Sequence, residues 1–222
     1  MLPRPMIEEV LETLVQRATD ADGGADLSAA REAFHAATGE FAPGDPDYEP
    51  RIRCFLDWYL CAWISADGTR PADRAARTPL ERDVAAACAR AARSLYEVLD
   101  VDSARVRLAD RLGGGRFRVE HAGSRTEQLR TGDLFDGRLV VLGERIALLP
   151  GAIFHPAEAR EPLAELLERA RRDGPRDRTA ILDGLLRMRM RFDRFASMRA
   201  RHVYRWDALE DRDILSAAWA RK

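Results

Sequence analysis

The chain reads as an α+β protein: a helical region built around a buried aromatic helix, a small antiparallel β-barrel-like unit, and C-terminal helices that pack back on the first group. Three observations predict this. The stretch YEPRIRCFLDWYLCAWI, residues 48 to 64, sets large apolar groups on nearly every side of a helical cylinder from Ile52 onward, interrupted by Arg53 and Asp57, so other elements must surround it. At Ser94 the apolar period changes from helical spacing to strict alternation. After Pro156 the helical spacing returns. The expected boundaries are a helical region over 1–93, a β unit over 94–154 and a second helical region over 155–222.

In chain order, Ile7, Val10, Leu11, Leu14 and Val15 form one stripe of a helix over residues 6 to 19, which the Asp-Ala-Asp-Gly-Gly run at 20 to 24 ends. Ser28 is the expected N-cap of a second helix reaching Thr38, with Gly39 as its left-handed stop. Pro43, Pro46 and Pro50 keep residues 41 to 50 irregular up to the aromatic helix, which ends by Asp67-Gly68. Thr78-Pro79-Leu80-Glu81 has the pattern of a capping box with proline at the first helical position, and the alanine-rich helix it opens runs to about Arg93. LYEVLDVD, ARVRLAD and GRFRVEH alternate apolar and polar residues across turn signals, and further strands are expected at 134 to 142 and 145 to 149. Leu163, Leu166, Leu167 and Ala170 then mark one helix. Ile181, Leu185, Met188, Phe192, Phe195 and Met198 mark a long one over residues 179 to 205, and Ile214, Leu215 and Trp219 a short terminal one.

Charge is nearly balanced, 36 basic against 37 acidic residues, which leaves no global field for nucleic acid or anionic lipid. Cys54, Cys61 and Cys88 form no CxxC pair and read as buried thiols of a reducing compartment; Cys54 and Cys61 share a helix face without a second ligand pair, so neither metal nor cofactor is expected. Glu8, Glu9 and Glu12 interrupt the first apolar run as no signal peptide would, and no stretch reaches the length of a membrane span. The expectation is a soluble cytoplasmic protein.

The search for chemistry returns little. There is no G-x-S-x-G elbow, and Gly113-Gly114-Gly115 lies between strand patterns with no Lys-Ser/Thr after it, so it reads as a hairpin turn rather than a phosphate loop. His35, His121, His155 and His202 are not spaced as metal ligands. Asp57, flanked by Leu56 and Trp58, needs a partner: an ion pair or hydrogen bond with one of the many arginines if structural, a second polar group in a pocket if functional. The largest charge feature is residues 171 to 205, where eleven arginines meet four aspartates. Arg187, Arg191, Arg194, Arg201 and Arg205 recur at helical spacing with Tyr204 and Trp206 nearby. That is a candidate binding face for phosphates and unstacked bases, or a solvated face whose arginines pair with acidic residues elsewhere.

The segments YEPRIRCFLDWYL, SLYEVLDVDSARVRLADRLGGGRFRVEHAG and LRTGDLFDGRLVVLGERIALLPGAIF resemble the matching parts of uncharacterised bacterial proteins, many of which carry a C-terminal SEC-C zinc motif. The resemblance spans roughly residues 40 to 160 and includes the Gly132-Asp133 turn; the SEC-C cysteines and histidine are absent, with an arginine-rich tail in their place. It implies no reaction and carries over no functional residue.

The functional expectation is therefore a non-enzymatic binding or adaptor protein engaging another protein or a second copy of itself, away from any membrane. The alternative is an RNA- or DNA-binding protein using the arginine face of the 179 to 205 helix; a third reading is an enzyme using Asp57 with a histidine.

Overall fold

The computed structural model describes residues 4–103, 105–120, 129–173, 177–195 and 197–215. Its first helix, α1 (Arg4–Asp20), passes through a tight turn at Ala21–Gly24 directly into α2 (Ala25–Thr38). The expected start at Ser28 is thus corrected: Gly24 adopts φ 84° and reverses the chain earlier, leaving Ser28 inside the helix. After the proline-rich loop comes the aromatic helix α3 (Tyr48–Cys61), then a short α4 (Pro71–Ala75), then α5 (Pro79–Ala89). The capping box of α5 forms as the sequence predicts: Glu81 N–H donates to Thr78 Oγ1 at 3.2 Å, and Thr78 N–H donates to Glu81 Oε2 at 2.9 Å.

The β unit contains β1 (Ala92–Val101), β2 (Arg105–Asp110), β3 (Arg116–Glu120), β4 (Leu134–Leu142), β5 (Arg145–Leu148) and β6 (Ile153–Phe154). The strands are antiparallel in the order β3-β2-β1-β4-β5, with β6 also paired to β4, and the sheet curls into a half-barrel. The alternation expected from the sequence sorts side chains to two faces. Tyr96, Val98, Val106, Leu108, Val119, Phe135 and Leu139 fill the concave interior, where Tyr96 meets Phe117 edge-on with ring centroids 6.0 Å apart.

The convex side of β4 and β5 faces the other way. Val140, Leu149 and Ile153 join Phe34, Phe55, Tyr59, Leu60 and Val84 in a core that also takes Leu186 and Met190 from the C-terminal region. The aromatic helix is accordingly enclosed over most of its circumference, with Phe55 1% and Tyr59 0% exposed. Two details differ from expectation: Arg51 is buried, and Ile64 lies beyond the end of the helix and is exposed. Gly151 is the closest approach of the β unit to this helix; a Cβ there would stand 2.5 Å from Cys54 Cα and 2.6 Å from Arg53 O.

Helices α6 (Arg160–Arg172) and α7 (Arg178–Arg194) form a third core with Leu95 and Leu134 of the sheet. The long helix expected over residues 179 to 205 is not continuous. It stops at Phe195 (φ −126°, ψ 70°), and a separate short helix, α8 (Ala200–Val203), follows. No proline or glycine causes this break; tertiary contacts do. The fold-back buries Val203 and Tyr204 in the third core, which outweighs continuation of the helical ladder. Ile214 is buried within a final turn at Arg212–Leu215, while Trp219 lies outside the described residues.

Candidate functional site

The arginines singled out on residues 179 to 205 do not form one surface. Arg187 is 7% exposed, and its guanidinium donates to Ala37 O and, at 2.9 Å, to Leu209 O. Arg191 is 0% exposed and its guanidinium carbon lies 3.7 Å from the Phe195 ring centroid. Arg194 grips Asp45 with both Nε and Nη2, at 2.9 and 2.7 Å, and donates to Glu40 O at 2.6 Å. Arg189, between them in sequence, pairs with Asp47 at 2.5 Å and with Asp193. Arg201 points to solvent, and Arg205, 43% exposed, pairs with Asp207 at 3.2 Å. Of the two aromatics, Tyr204 is buried. Trp206 is half-buried beneath the Arg169 guanidinium, 5.1 Å from its ring centroid. Of the arginines of the candidate binding face, Arg187 and Arg191 are buried, Arg187 tying α7 to α2 and to Leu209, Arg194 is half-buried against the 40–47 loop, and Arg201 and Arg205 stay exposed.

Asp57 is buried. Its Oδ2 accepts the Gly151 N–H at 2.6 Å at the contact between the aromatic helix and the β unit. The histidines are dispersed. His35 packs edge-on against Phe41, His121 lies outside the described residues, and His202 is exposed. His155 is buried, its Nδ1 hydrogen-bonded to Tyr204 Oη at 3.0 Å; burial, followed by the facing charges of Arg189 and Arg51, pushes its pKa down to about 3. It does not meet Asp57.

Other charged clusters emerge only in three dimensions. Asp26 accepts hydrogen bonds from Tyr59 Oη (3.1 Å), Trp63 Nε1 (3.0 Å), Ser65 Oγ (2.8 Å) and Arg74 Nη2 (2.7 Å). Burial opposes its charge, but these donors prevail and hold the carboxyl below the usual range. Arg93 spans Asp136 and Asp183 at 2.7 and 2.6 Å, joining β1, β4 and α7. Asp110 caps the β2–β3 turn, accepting from Leu112 and Gly113 N–H at 2.9 and 2.7 Å, from Ser94, and from Arg178 at 2.6 Å. Each of these networks is closed on itself and holds elements together. A shallow groove over α1 is lined by Glu9, Glu12, Thr13, Gln16 and Arg17, all from one helix, so groups from different elements do not converge there. Among the described residues no cluster of His, Cys, Asp and Glu could hold a metal ion.

The outer face of the β2–β3 hairpin is different. Alternation sends Arg105 and Arg107 of β2, and Arg116 and Arg118 of β3, to the convex side, and all four are exposed. The register places Arg107 directly opposite Arg118, and Ala109 opposite Arg116. Like charges directly opposed on a sheet are destabilising, and here the Arg107–Asp100 ion pair offsets part of that repulsion. On the neighbouring strand Asp100 pairs with Arg107 at 3.3 Å and Glu97 with Arg111 at 3.2 Å; within the described side chains no ion pair engages Arg105, Arg116 or Arg118. The result is a basic strip on β2 and β3, bordered by carboxylates on the β1 side and ending where β3 sets Glu120 opposite Arg105. Its chemistry is that of anion recognition: planar guanidinium forks suit carboxylates or phosphates in bidentate contacts. The sequence analysis missed these four residues although their signal was plain. R-V-R-L and R-F-R-V alternate, so once the apolar residues face the core the arginines face out together.

Comparison of the chain with protein-family models, with curated proteins and with solved structures returned no match in any of the three.

Proposed function

We propose that the protein is a non-enzymatic binding protein that engages another protein through the convex face of the β2–β3 hairpin. The observation that carries this reading is the directly opposed, solvent-facing Arg107 and Arg118, flanked by Arg105 and Arg116, on a rigid curled sheet. A partner that neutralises the strip recovers the repulsion built into it. The internal contacts of Arg187 and Arg194 on α7 and of Asp57 support this reading, since they give those residues structural roles. In the same reading the protein works in a reducing compartment such as the cytoplasm, because its three cysteines are buried free thiols. Among the described residues no helix is long and apolar enough to cross a membrane.

The reading is tested by capture on the immobilised intact chain from a nuclease-treated lysate of the source organism, beside a variant carrying Arg107→Glu and Arg118→Glu. A protein held by the natural chain and released by the variant is the expected result. Equal capture by both, or capture that disappears on nuclease treatment, overturns it.

A further inference from the structure

We infer that the partner presents an extended acidic segment, with carboxylates on alternate residues, that lies along the β2–β3 strip. This rests on the proposed protein-binding role and names the chemistry of the partner. Arg105 and Arg107 are two residues apart on one strand and Arg116 and Arg118 two apart on the next, so each pair repeats at about 6.6–6.8 Å along its strand. An extended peptide sets alternate side chains at the same repeat. A segment of the form acid-x-acid therefore meets one arginine per carboxylate without distorting either chain.

Two features favour a peptide over a nucleic acid. Single-stranded nucleic acids are held largely by stacking on exposed aromatic rings, but among the described residues none borders the strip: Tyr96 and Phe135 are 0% exposed, Phe117 packs against the interior cluster, and the exposed Phe154 lies on β6, which pairs with β4 rather than with β2 or β3. Acidic residues also interrupt the strip, Asp100 pairing with Arg107 and Glu120 standing opposite Arg105 in the register, so the exposed arginines do not form the unbroken basic track that a continuous phosphate backbone follows, whereas a segment whose charges alternate with neutral residues needs none. Arg116 and Arg118 on the outer strand stand farthest from the β1 carboxylates, since β2 lies between β3 and β1, and so dominate the contact.

Fluorescence anisotropy with the full chain and a labelled alternating Glu-Thr peptide tests this at near-physiological salt, against a peptide of the same composition in blocks and against poly-U RNA. The expected order is alternating peptide tightest. An Arg116→Glu, Arg118→Glu variant should bind it about tenfold or more weakly while keeping the natural far-UV spectrum, and the doubly Lys-substituted variant should fall between, because lysine keeps the charge and loses the fork. RNA binding tighter than the peptide, block and alternating peptides binding equally, or no change on charge reversal each overturns the inference. Loss of peptide binding combined with undiminished, charge-dependent lysate capture overturns only the acidic-segment chemistry; absence of capture overturns the protein-binding role beneath it.

Discussion

Gly151 and Asp57 meet where the β unit seats on the aromatic helix, and their contact makes opposite demands on the two residues. Gly151 must have no side chain, since a Cβ would enter the backbone of Cys54 and Arg53. Asp57 must keep an oxygen to accept the Gly151 N–H. Gly151→Ala is expected to cost about 1–3 kcal/mol by overpacking against rigid backbone. Asp57→Ala should cost a similar amount by leaving a buried N–H unsatisfied, about 1–3 kcal/mol, while Asp57→Asn, which retains an oxygen, costs less. Urea denaturation of the three variants measures this, and an Asp57→Ala chain as stable as the natural one would detach the carboxylate from the fold. His155 governs a separate, pH-dependent contribution. Its pKa is about 3 in the folded chain and near the ordinary value of 6.5 when unfolded, so the unfolded state binds the extra proton between these limits and stability falls as pH drops below 6.5. From pH 7 to pH 5 the loss attributable to this residue is about 2 kcal/mol. His35, lowered by burial as well, acts in the same direction. The difference between the natural chain and His155→Gln therefore isolates His155: the variant should show the shallower slope over this range, and parallel slopes would contradict the account.

At the scale of the element, α7 is a helix whose polar side chains point into the protein. Arg187 serves two backbone carbonyls and Arg194 closes the 40–47 loop. Arg187→Ala is expected to destabilise by about 2–4 kcal/mol because it opens a cavity and leaves buried carbonyls without donors. For Arg194→Ala, whose side chain is partly solvated, the expected loss is nearer 1 kcal/mol, and for the exposed Arg201→Ala it stays within about 0.5 kcal/mol. Thermal and urea melts of the three single variants give the order, and an Arg187→Ala chain of natural stability would return α7 to the surface. The arginine spacing was legible in the sequence, but its direction was not. Regular spacing fixes which residues share a side of a helix, not whether that side meets water, and α7 lies between layers with carbonyls and aspartates waiting on its charged side. The strands were more legible because apolar and polar residues alternate there, so burying one set fixes where the other points. The α5 cap was legible for a related reason: both partners of each hydrogen bond lie within four residues. Asp26 was not, since its donors come from residues as far along the chain as Arg74.

For the molecule as a whole, the three regions share their cores, and this decides how it unfolds. The cluster around the aromatic helix contains Val140, Leu149 and Ile153 from the sheet and Leu186 and Met190 from α7. The cluster around α6 and α7 takes Leu95 and Leu134 from the sheet. Arg93 adds an ionic tie from β1 across β4 to α7; burial alone would weaken its charge, but Asp136 and Asp183 outweigh that and raise its pKa. Detaching the β unit would expose apolar surface on both helical groups at once and open these ion pairs, so partial opening gains little entropy for a large loss of burial. The three cysteines sit at positions that report on this. Cys54 lies under Gly151 at the seat of the β unit, and burial pushes its thiol up to about 12. Cys61 of α3 and Cys88 of α5 lie in the core beneath. Since all three are buried, a thiol reagent reaches them only through opening of the fold. Labelling under native conditions should therefore proceed at one common rate for Cys54, Cys61 and Cys88, and that rate should rise with urea along the slope of global unfolding. If Cys54 is modified much faster than the other two, and with a shallower urea dependence, the β unit swings away from the aromatic helix on its own, and the shared core fails as the basis of a single cooperative unit.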